Sequence, residues 1–253
     1  MRKISFGIAM AVLVLVNVKG YTQEKRMTWT TTSAEARELA RQGAEHFMNI
    51  EFEQAYFDFT SALKLDPDFT IPLVFMSNLT RGKTRDAFAA RALKSAANKT
   101  DGEKLFASMA DSSMTREQNM GTWKKLHDMF PDGEILQHFY VVTRQTPDEQ
   151  FAAAQEYMKK FPDDGSVNNL LGYYYMTEKK DNAMAKQYFE KYIAAYPEGA
   201  NPYDSMGEFY LITGDLANAK KYYQLSLEKF PFNNSSINAL QKMEDDAKSK
   251  TTK

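Results

Sequence analysis

The stretch NPYDSMGEFYLITGDLANAKKYYQLSLEKFP, residues 201–231, decides the fold. Its pattern predicts two helices separated by a short turn, because Gly214 suits the end of a helix and Asp215 is a good N-cap for the next one. The small residues Gly207 and Ala219 would let the two helices approach each other closely. The stretch therefore predicts a helical hairpin.

The same stretch contains Asp204 and Ser205, which an active site could use. A hydrolytic serine usually lies on a sharp turn such as Gly-x-Ser-x-Gly, whereas Ser205 falls inside the predicted helix. We therefore interpret both residues as part of a solvated helix face, and the stretch as packing rather than chemistry.

The hairpin recurs along the chain. Five prolines follow an apolar or aromatic helix end, and from the second onward they lie 31 to 35 residues apart. The first and second are separated by about twice that interval. A period near 34 residues is typical of tetratricopeptide repeats. The prolines are Pro67, Pro131, Pro162, Pro197 and Pro231.

Residues 200–231 resemble a tetratricopeptide repeat in sequence as well as in length. The matching positions are Tyr203, Met206, Gly207, Tyr210, Ala219, Tyr223 and Pro231. Two other stretches resemble the family in the same way. They carry Leu39, Gly43, Ala55, Phe59, Ala62 and Pro67 in one copy, and Gly172, Tyr175, Ala185, Phe189 and Pro197 in the other. The middle of the chain keeps only part of the pattern, so its register stays open.

The resemblance implies an all-α fold. We expect a right-handed α-solenoid of about six tetratricopeptide-like hairpins over residues 33–248, with a C-terminal capping helix at 234–248. The predicted repeats are 36–67, 68–101, 102–131, 132–162, 163–197 and 198–231. Capping-box pairs mark several helix starts: Thr32 with Glu35, Thr100 with Glu103, Thr115 with Gln118, and Thr146 with Glu149.

The N-terminus predicts an export signal at residues 1–20. Arg2 and Lys3 precede an apolar run over residues 4–16, and the segment ends in Val-Lys-Gly, a small-residue spacing that suits cleavage. The run is shorter than the roughly 18 apolar residues that span a membrane. We expect an exported bacterial protein, periplasmic or secreted, without permanent membrane insertion; a retained anchor is the alternative. Residues 21–32 are predicted to be a flexible lead-in.

Composition argues against several classes of protein. The chain has no cysteine, which excludes a disulfide framework and a lipid anchor on an N-terminal cysteine. Removal of the predicted signal leaves more acidic than basic residues, and no basic face indicates nucleic-acid binding. The histidines His46, His127 and His138 lack the spacing of metal ligands. We therefore expect no cofactor and no metal site.

The resemblance also implies a binding surface, because the family generally holds a peptide or protein segment on a concave face lined by first helices. Residues at equal distances after the prolines should be neighbours there. The predicted binding residues are His138, Asn169, Tyr173, Met176, Asp204, Glu208 and Leu211. Tyr173 is expected to face this surface, whereas Tyr175 is expected in the core. The alternative is that these are ordinary solvated residues.

These observations favour a non-enzymatic scaffold that binds a protein or peptide in the cell envelope. The alternative is an accessory or sensor subunit that acts only beside an envelope enzyme or assembly machine. A hydrolase is a third and less favoured hypothesis, because no carboxylate pair at a defined separation can be identified from the sequence. The oligomeric state is left open.

We expect the native protein to lack residues 1–20, because the charged start, short apolar run and small-residue ending suit signal cleavage. Intact-mass spectrometry of the protein purified from its own cells measures this. A mass that retains these residues, together with membrane retention, would indicate an uncleaved anchor instead.

Overall fold

The computed structural model describes residues 25–251, which form thirteen helices and no strand. The predicted export signal lies outside this range. Within the described part, no helix has the length and apolar character needed to cross a membrane. The helices are α1 Ala34–Met48, α2 Phe52–Leu65, α3 Thr70–Leu79, α4 Gly82–Ala96, α5 Asp101–Ser108, α6 Arg116–Met129, α7 Glu134–Val142, α8 Pro147–Lys160, α9 Gly165–Thr177, α10 Asn182–Ala195, α11 Asn201–Thr213, α12 Leu216–Lys229 and α13 Asn234–Thr251.

Successive helices pair into six hairpins, α1 with α2 through α11 with α12, and α13 packs on the last pair. The predicted all-α helical-repeat fold is therefore confirmed. Each predicted repeat interval contains two helices. The C-terminal helix starts where the sequence places the capping helix and continues to Thr251.

The terminal hairpins depend on a glycine that lies against an aromatic ring. A Cβ atom added at Gly207 would lie 2.8 Å from the Tyr223 ring, well inside the roughly 3.5–4.0 Å of carbon–carbon contact. The ring therefore occupies the space that any side chain would need. The three such pairs are Gly43 with Phe59, Gly172 with Phe189, and Gly207 with Tyr223.

The middle hairpins are held by a row of aromatic rings instead. Phe75 of α3 stacks on Phe59 at 4.7 Å between ring centroids, and the row continues through Phe106 and Trp123 to Phe139 of α7. Helix α3 is apolar on all sides, and its residues from Thr70 to Ser77 are all buried. The middle repeats thus lose the glycine signature but keep a continuous core.

The stack of hairpins closes back on its first member. The Phe47 ring of α1 lies 5.8 Å from the Phe139 ring of α7. Further along the chain, the Tyr192 hydroxyl of α10 donates to Oδ1 of Asn49, at the tip of the first hairpin, over 3.0 Å. The concave side is therefore partly covered by the chain's own first hairpin.

The described part of the predicted lead-in, residues 25–32, is hydrogen-bonded to distant repeats. Lys25 N donates to Asp132 Oδ2 over 2.7 Å. Both the backbone N–H and the hydroxyl of Thr30 donate to the carboxylate of buried Glu103, each over 2.8 Å. Trp29 packs against the core at its edge. Polar bonds to distant repeats, which composition does not indicate, hold this segment in place.

Three of the four predicted capping boxes, at Thr100, Thr115 and Thr146, are confirmed. The first is wrong by one residue, because the Ser33 hydroxyl caps α1 by accepting from Ala36 N over 3.0 Å. The predicted turn of the last hairpin is confirmed as well. Gly214 has a left-handed backbone with φ 86°, and Asp215 caps α12.

We expect Gly207→Ala to lower the free energy of unfolding by about 1–3 kcal/mol, because the added methyl group overpacks the Tyr223 ring. Gly121→Ala in α6 is the matched control. Its Cβ position is open, and alanine favours a helix over glycine by up to about 1 kcal/mol. Urea denaturation followed by circular dichroism measures both. Equal shifts of the same sign would contradict the proposed packing.

Candidate binding groove

A cleft of about 470 Å³ lies between the tip of the first hairpin and helices α7, α8 and α9. Phe47, Ile50 and Phe52 form its first wall. The opposite wall contains Val142, Leu170 and Tyr174 together with three predicted residues, His138, Asn169 and Tyr173. The lining is thus mainly apolar, with a few polar groups, as in many ligand sites.

A second cleft of about 350 Å³ adjoins the first. Ile50, Asn169 and Tyr173 line both clefts, so that these residues connect them. The second cleft also contains Glu51 and the predicted residue Asp204. The two clefts together are called the groove below.

Asn169 stands out among the residues that line the groove. It is 4% exposed, and its Oδ1 atom has no hydrogen-bond partner. Among the buried side chains of the described part that have an unpaired polar atom, Asn169 alone lines the groove. Because a buried polar atom normally has a partner, this oxygen is suited to accept a hydrogen bond from a ligand.

Tyr173 belongs to both the groove and the core. Its hydroxyl donates to Glu208 Oε2 over 2.6 Å, so the residues predicted to be neighbours on α9 and α11 are in contact. Its ring also lies edge-on to Phe189, at 5.2 Å. Burial raises the pKa of Tyr173, and Glu208 raises it further. The expectation that Tyr173 adds little to the hairpin core is therefore wrong.

The residues beside Tyr173 differ in burial, and Tyr175 packs against the same core cluster as Tyr173. Tyr175, predicted in the core, is half-buried and stacks on Tyr188 at 5.3 Å. Tyr174 is buried, and its hydroxyl donates to Asp148 over 2.6 Å. Helix α9 is buried on more sides than a single amphipathic face would give.

Asp204 attaches the capping helix to α11. Its carboxylate accepts from Ser235 Oγ over 2.9 Å and from Ser236 Oγ. Burial raises the pKa of Asp204, although the two serine hydroxyls oppose the shift. Ser205 is 1% exposed, so the interpretation of a solvated face is wrong for both residues. That face is covered because α13 binds Asp204 and Tyr173 of α9 lies beside Ser205.

His138 is buried in a polar network. Its Nδ1 lies 2.9 Å from Ser166 Oγ, and Ser166 in turn donates to Asp164 Oδ1 over 2.6 Å. Tyr157 donates to the other Asp164 oxygen. A nucleophilic triad places the histidine between acid and serine. Here the serine lies between the other two and donates its hydrogen bond to Asp164, so that His138 is not placed as its base.

Three predicted residues, Met176, Glu208 and Leu211, lie outside the groove. Met176 is buried in a core cluster with Phe189 and Phe209. Leu211 is half-buried and lines neither cleft. Within residues 25–251, no group of three acidic or histidine side chains could hold a metal ion.

Sequence reasoning missed the wall that the first hairpin supplies. Ile50 is 52% exposed and Phe52 is also exposed, which is unusual for apolar residues at a helix start. The signal in the sequence for this wall is a turn at Glu51 that has an apolar residue on each side. Nothing in the local pattern indicates which distant repeat this turn would meet.

Comparisons with known proteins agree with this architecture. Residues 165–198 and 200–228 match the family model of the tetratricopeptide repeat, and these segments contain the fifth and sixth hairpins. No curated protein matches the chain.

Several crystal structures are similar in fold. PilW, described as a widely conserved type IV pilus biogenesis factor, has a TM-score of 0.47 and 14% identity over 82% of this chain and 99% of its own. MamA has a TM-score of 0.41 and 16% identity, over 77% and 91%. TTC0263, a thermophilic TPR protein of Thermus thermophilus, has a TM-score of 0.37 and 16% identity, over 81% and 96%.

We expect the pKa values of His46 and His138 to differ in opposite directions from the usual value. Burial lowers the pKa of His138 to about 4. Burial alone would also lower the pKa of His46, but its hydrogen bond to Asp58 and the nearby acids outweigh that effect and raise it above 6.5. Measurement of imidazole resonances by NMR against pH checks both directions.

The same shifts predict how stability changes with pH. His138 is neutral in the folded protein, so its contribution is present above the unfolded pKa of about 6.5 and is lost as pH falls toward 4. The contribution of His46 is present below about 6.5 and is lost as pH rises through its folded pKa. A His138 that titrates near 6.5 would contradict its buried network.

Proposed function

We propose that this chain, which carries tetratricopeptide repeats, is a non-enzymatic scaffold of the cell envelope that binds a protein or peptide segment in the groove. The observation that carries the proposal is the unpaired Oδ1 atom of Asn169, in a cleft whose walls are mainly apolar. The apolar walls suit the side chains of an extended segment, and the amide oxygen suits one of its backbone N–H groups.

The neighbouring Asn168 shows that an unpaired amide oxygen can bind a ligand in the groove only if its residue lines the groove. It is also buried with an unpaired Oδ1 atom. However, its Nδ2 donates to the Asp164 carbonyl over 2.9 Å, and it lines a separate surface cleft with Leu171 and Tyr188. Asn168 therefore stabilises the start of α9, whereas the Oδ1 atom of Asn169 is available to a ligand.

The bonds made by the candidate reactive side chains support a role without catalysis. His138 and Ser166 are buried in a network of the wrong order for nucleophilic attack. Asp204 is engaged by two serine hydroxyls, and Glu208 is engaged by Tyr173. The envelope location rests on the charged and apolar pattern of the N-terminal sequence.

An accessory subunit is the second candidate, and the outer surface favours it. Phe57 of α2 is 64% exposed and Phe232, before α13, is 71% exposed. Neither residue lines the groove. Each lies beside a second aromatic ring, Tyr56 and Phe230 respectively, and contiguous apolar surface of this kind often marks a site that binds another protein.

We expect peptides selected on the purified chain from a random phage-displayed library to bind in the groove. Asn169→Ala should lower their affinity about three- to tenfold, since one hydrogen bond contributes roughly 0.5–1.5 kcal/mol. Stability should not fall, because Oδ1 has no partner in the free protein and its unpaired burial costs free energy. Fluorescence anisotropy and thermal unfolding measure the two effects.

Asn168→Ala is the matched control. It removes the hydrogen bond to the Asp164 carbonyl, so we expect about 1 kcal/mol lower stability with unchanged peptide affinity. Equal losses of affinity in both variants would contradict the groove as the binding site. Co-purification of one protein that survives Asn169→Ala and is lost on Phe232→Ser would favour the accessory role.

A further inference from the structure

The tip of the first hairpin, Asn49 to Glu51, reaches across the groove to the junction between α10 and α11. Glu51 Oε1 accepts from Ala200 N over 2.5 Å and from Asn201 N over 3.0 Å. Its other carboxylate oxygen accepts from the Tyr196 hydroxyl over 2.9 Å. Two hairpins that are far apart in the chain are therefore joined at this point.

Glu51 caps a helix other than its own. It precedes α2, yet its side chain makes no capping bond there. Ala200 precedes α11 and has no side chain that could cap it. A carboxylate at the N-terminus of a helix is stabilised by the free N–H groups and by the helix dipole. The carboxylate of Glu51 supplies the cap that α11 lacks.

The residue before Glu51 is held in a strained backbone. Ile50 has φ 63°, a left-handed conformation that a β-branched residue rarely adopts. It is also the tip residue that lines both clefts, next to Asn169. Its apolar side chain cannot donate a hydrogen bond to Asn169 Oδ1. The closed arrangement therefore contains local strain and an unpaired buried oxygen.

We propose that the α1–α2 tip is a latch that closes the groove in the free protein and moves away when a partner enters. Attachment comes from Glu51 and from the Tyr192–Asn49 bond. Release relieves the strain at Ile50 and gives a partner's N–H group access to Asn169. The identity of what enters rests on the proposed function, whereas the movement of the tip is tested on the protein alone.

The test uses a thiol reporter, which is specific because the chain has no cysteine. Asn169→Cys places a buried thiol in the groove under the tip. Its rate of reaction with Ellman's reagent then measures how often the groove opens. Glu51→Ala in the same chain should raise this rate at least about tenfold, because hydrogen bonds to a charged group are among the strong ones.

Two control reporters separate opening of the latch from general loosening. Ser77→Cys in α3 and Ser226→Cys in α12 replace buried serines outside the groove. Their reaction rates should stay unchanged when Glu51→Ala is introduced. Glu35→Ala is the matched control for charge, since Glu35 is exposed on the same hairpin and lines neither cleft. It should change none of the three rates.

The outcomes divide clearly. A faster reaction at position 169 alone supports the latch. Equal acceleration at all three reporters overturns it, because Glu51 would then only stabilise the fold as a whole. An unchanged rate at position 169 also overturns it. A faster reaction at position 169, together with a chain that keeps Asn169 and binds no selected peptide, would refute the proposed function but not the latch.

Discussion

The close contact between a glycine of one helix and an aromatic ring of the next sets the geometry of the terminal hairpins. Because the glycine has no side chain, the ring fills the space between two helix backbones and fixes their separation. A Cβ atom at Gly172 would lie only 2.6 Å from the Phe189 ring. The contact requires one small and one flat residue at a fixed place in each hairpin, and this makes the repeat visible in the sequence.

The middle of the chain shows that the same fold can be held in another way. There the stacked rings of Phe59 and Phe75, and of Trp123 and Phe139, connect successive hairpins across their boundaries. Such a row fixes the position of each hairpin relative to its neighbours. It does not fix the separation of the two helices within one hairpin. A search for small residues at a fixed spacing cannot detect it, because the information lies in pairs that are distant in sequence.

The contrast between contacts within a hairpin and contacts between hairpins explains how much of the fold and of the groove could be predicted from the sequence. Helix pairing, most caps and the all-α repeat fold follow from local patterns, which act over a few turns of helix. The predicted contact partners Tyr173 and Glu208 also meet, because neighbouring repeats keep one register. Burial of Asp204 and Ser205 could not be predicted, since a hairpin in isolation leaves that face in water. Tyr173 of the preceding hairpin and the serines at the start of α13 cover it.

Closure of the stack onto the first hairpin creates the groove and also limits access to it. The three hydrogen bonds to Glu51 favour the closed state, with roughly 1.5–3 kcal/mol for each hydrogen bond to a charged group. Two terms oppose it: the left-handed Ile50 costs about 1–3 kcal/mol, and the unpaired Asn169 oxygen costs about 1–3 kcal/mol. Because these two terms offset part of the attachment, a partner that pairs Asn169 needs less additional binding energy to displace the tip. Such a groove stays covered when it is empty, and it opens for a segment that offers an N–H group to the Asn169 oxygen.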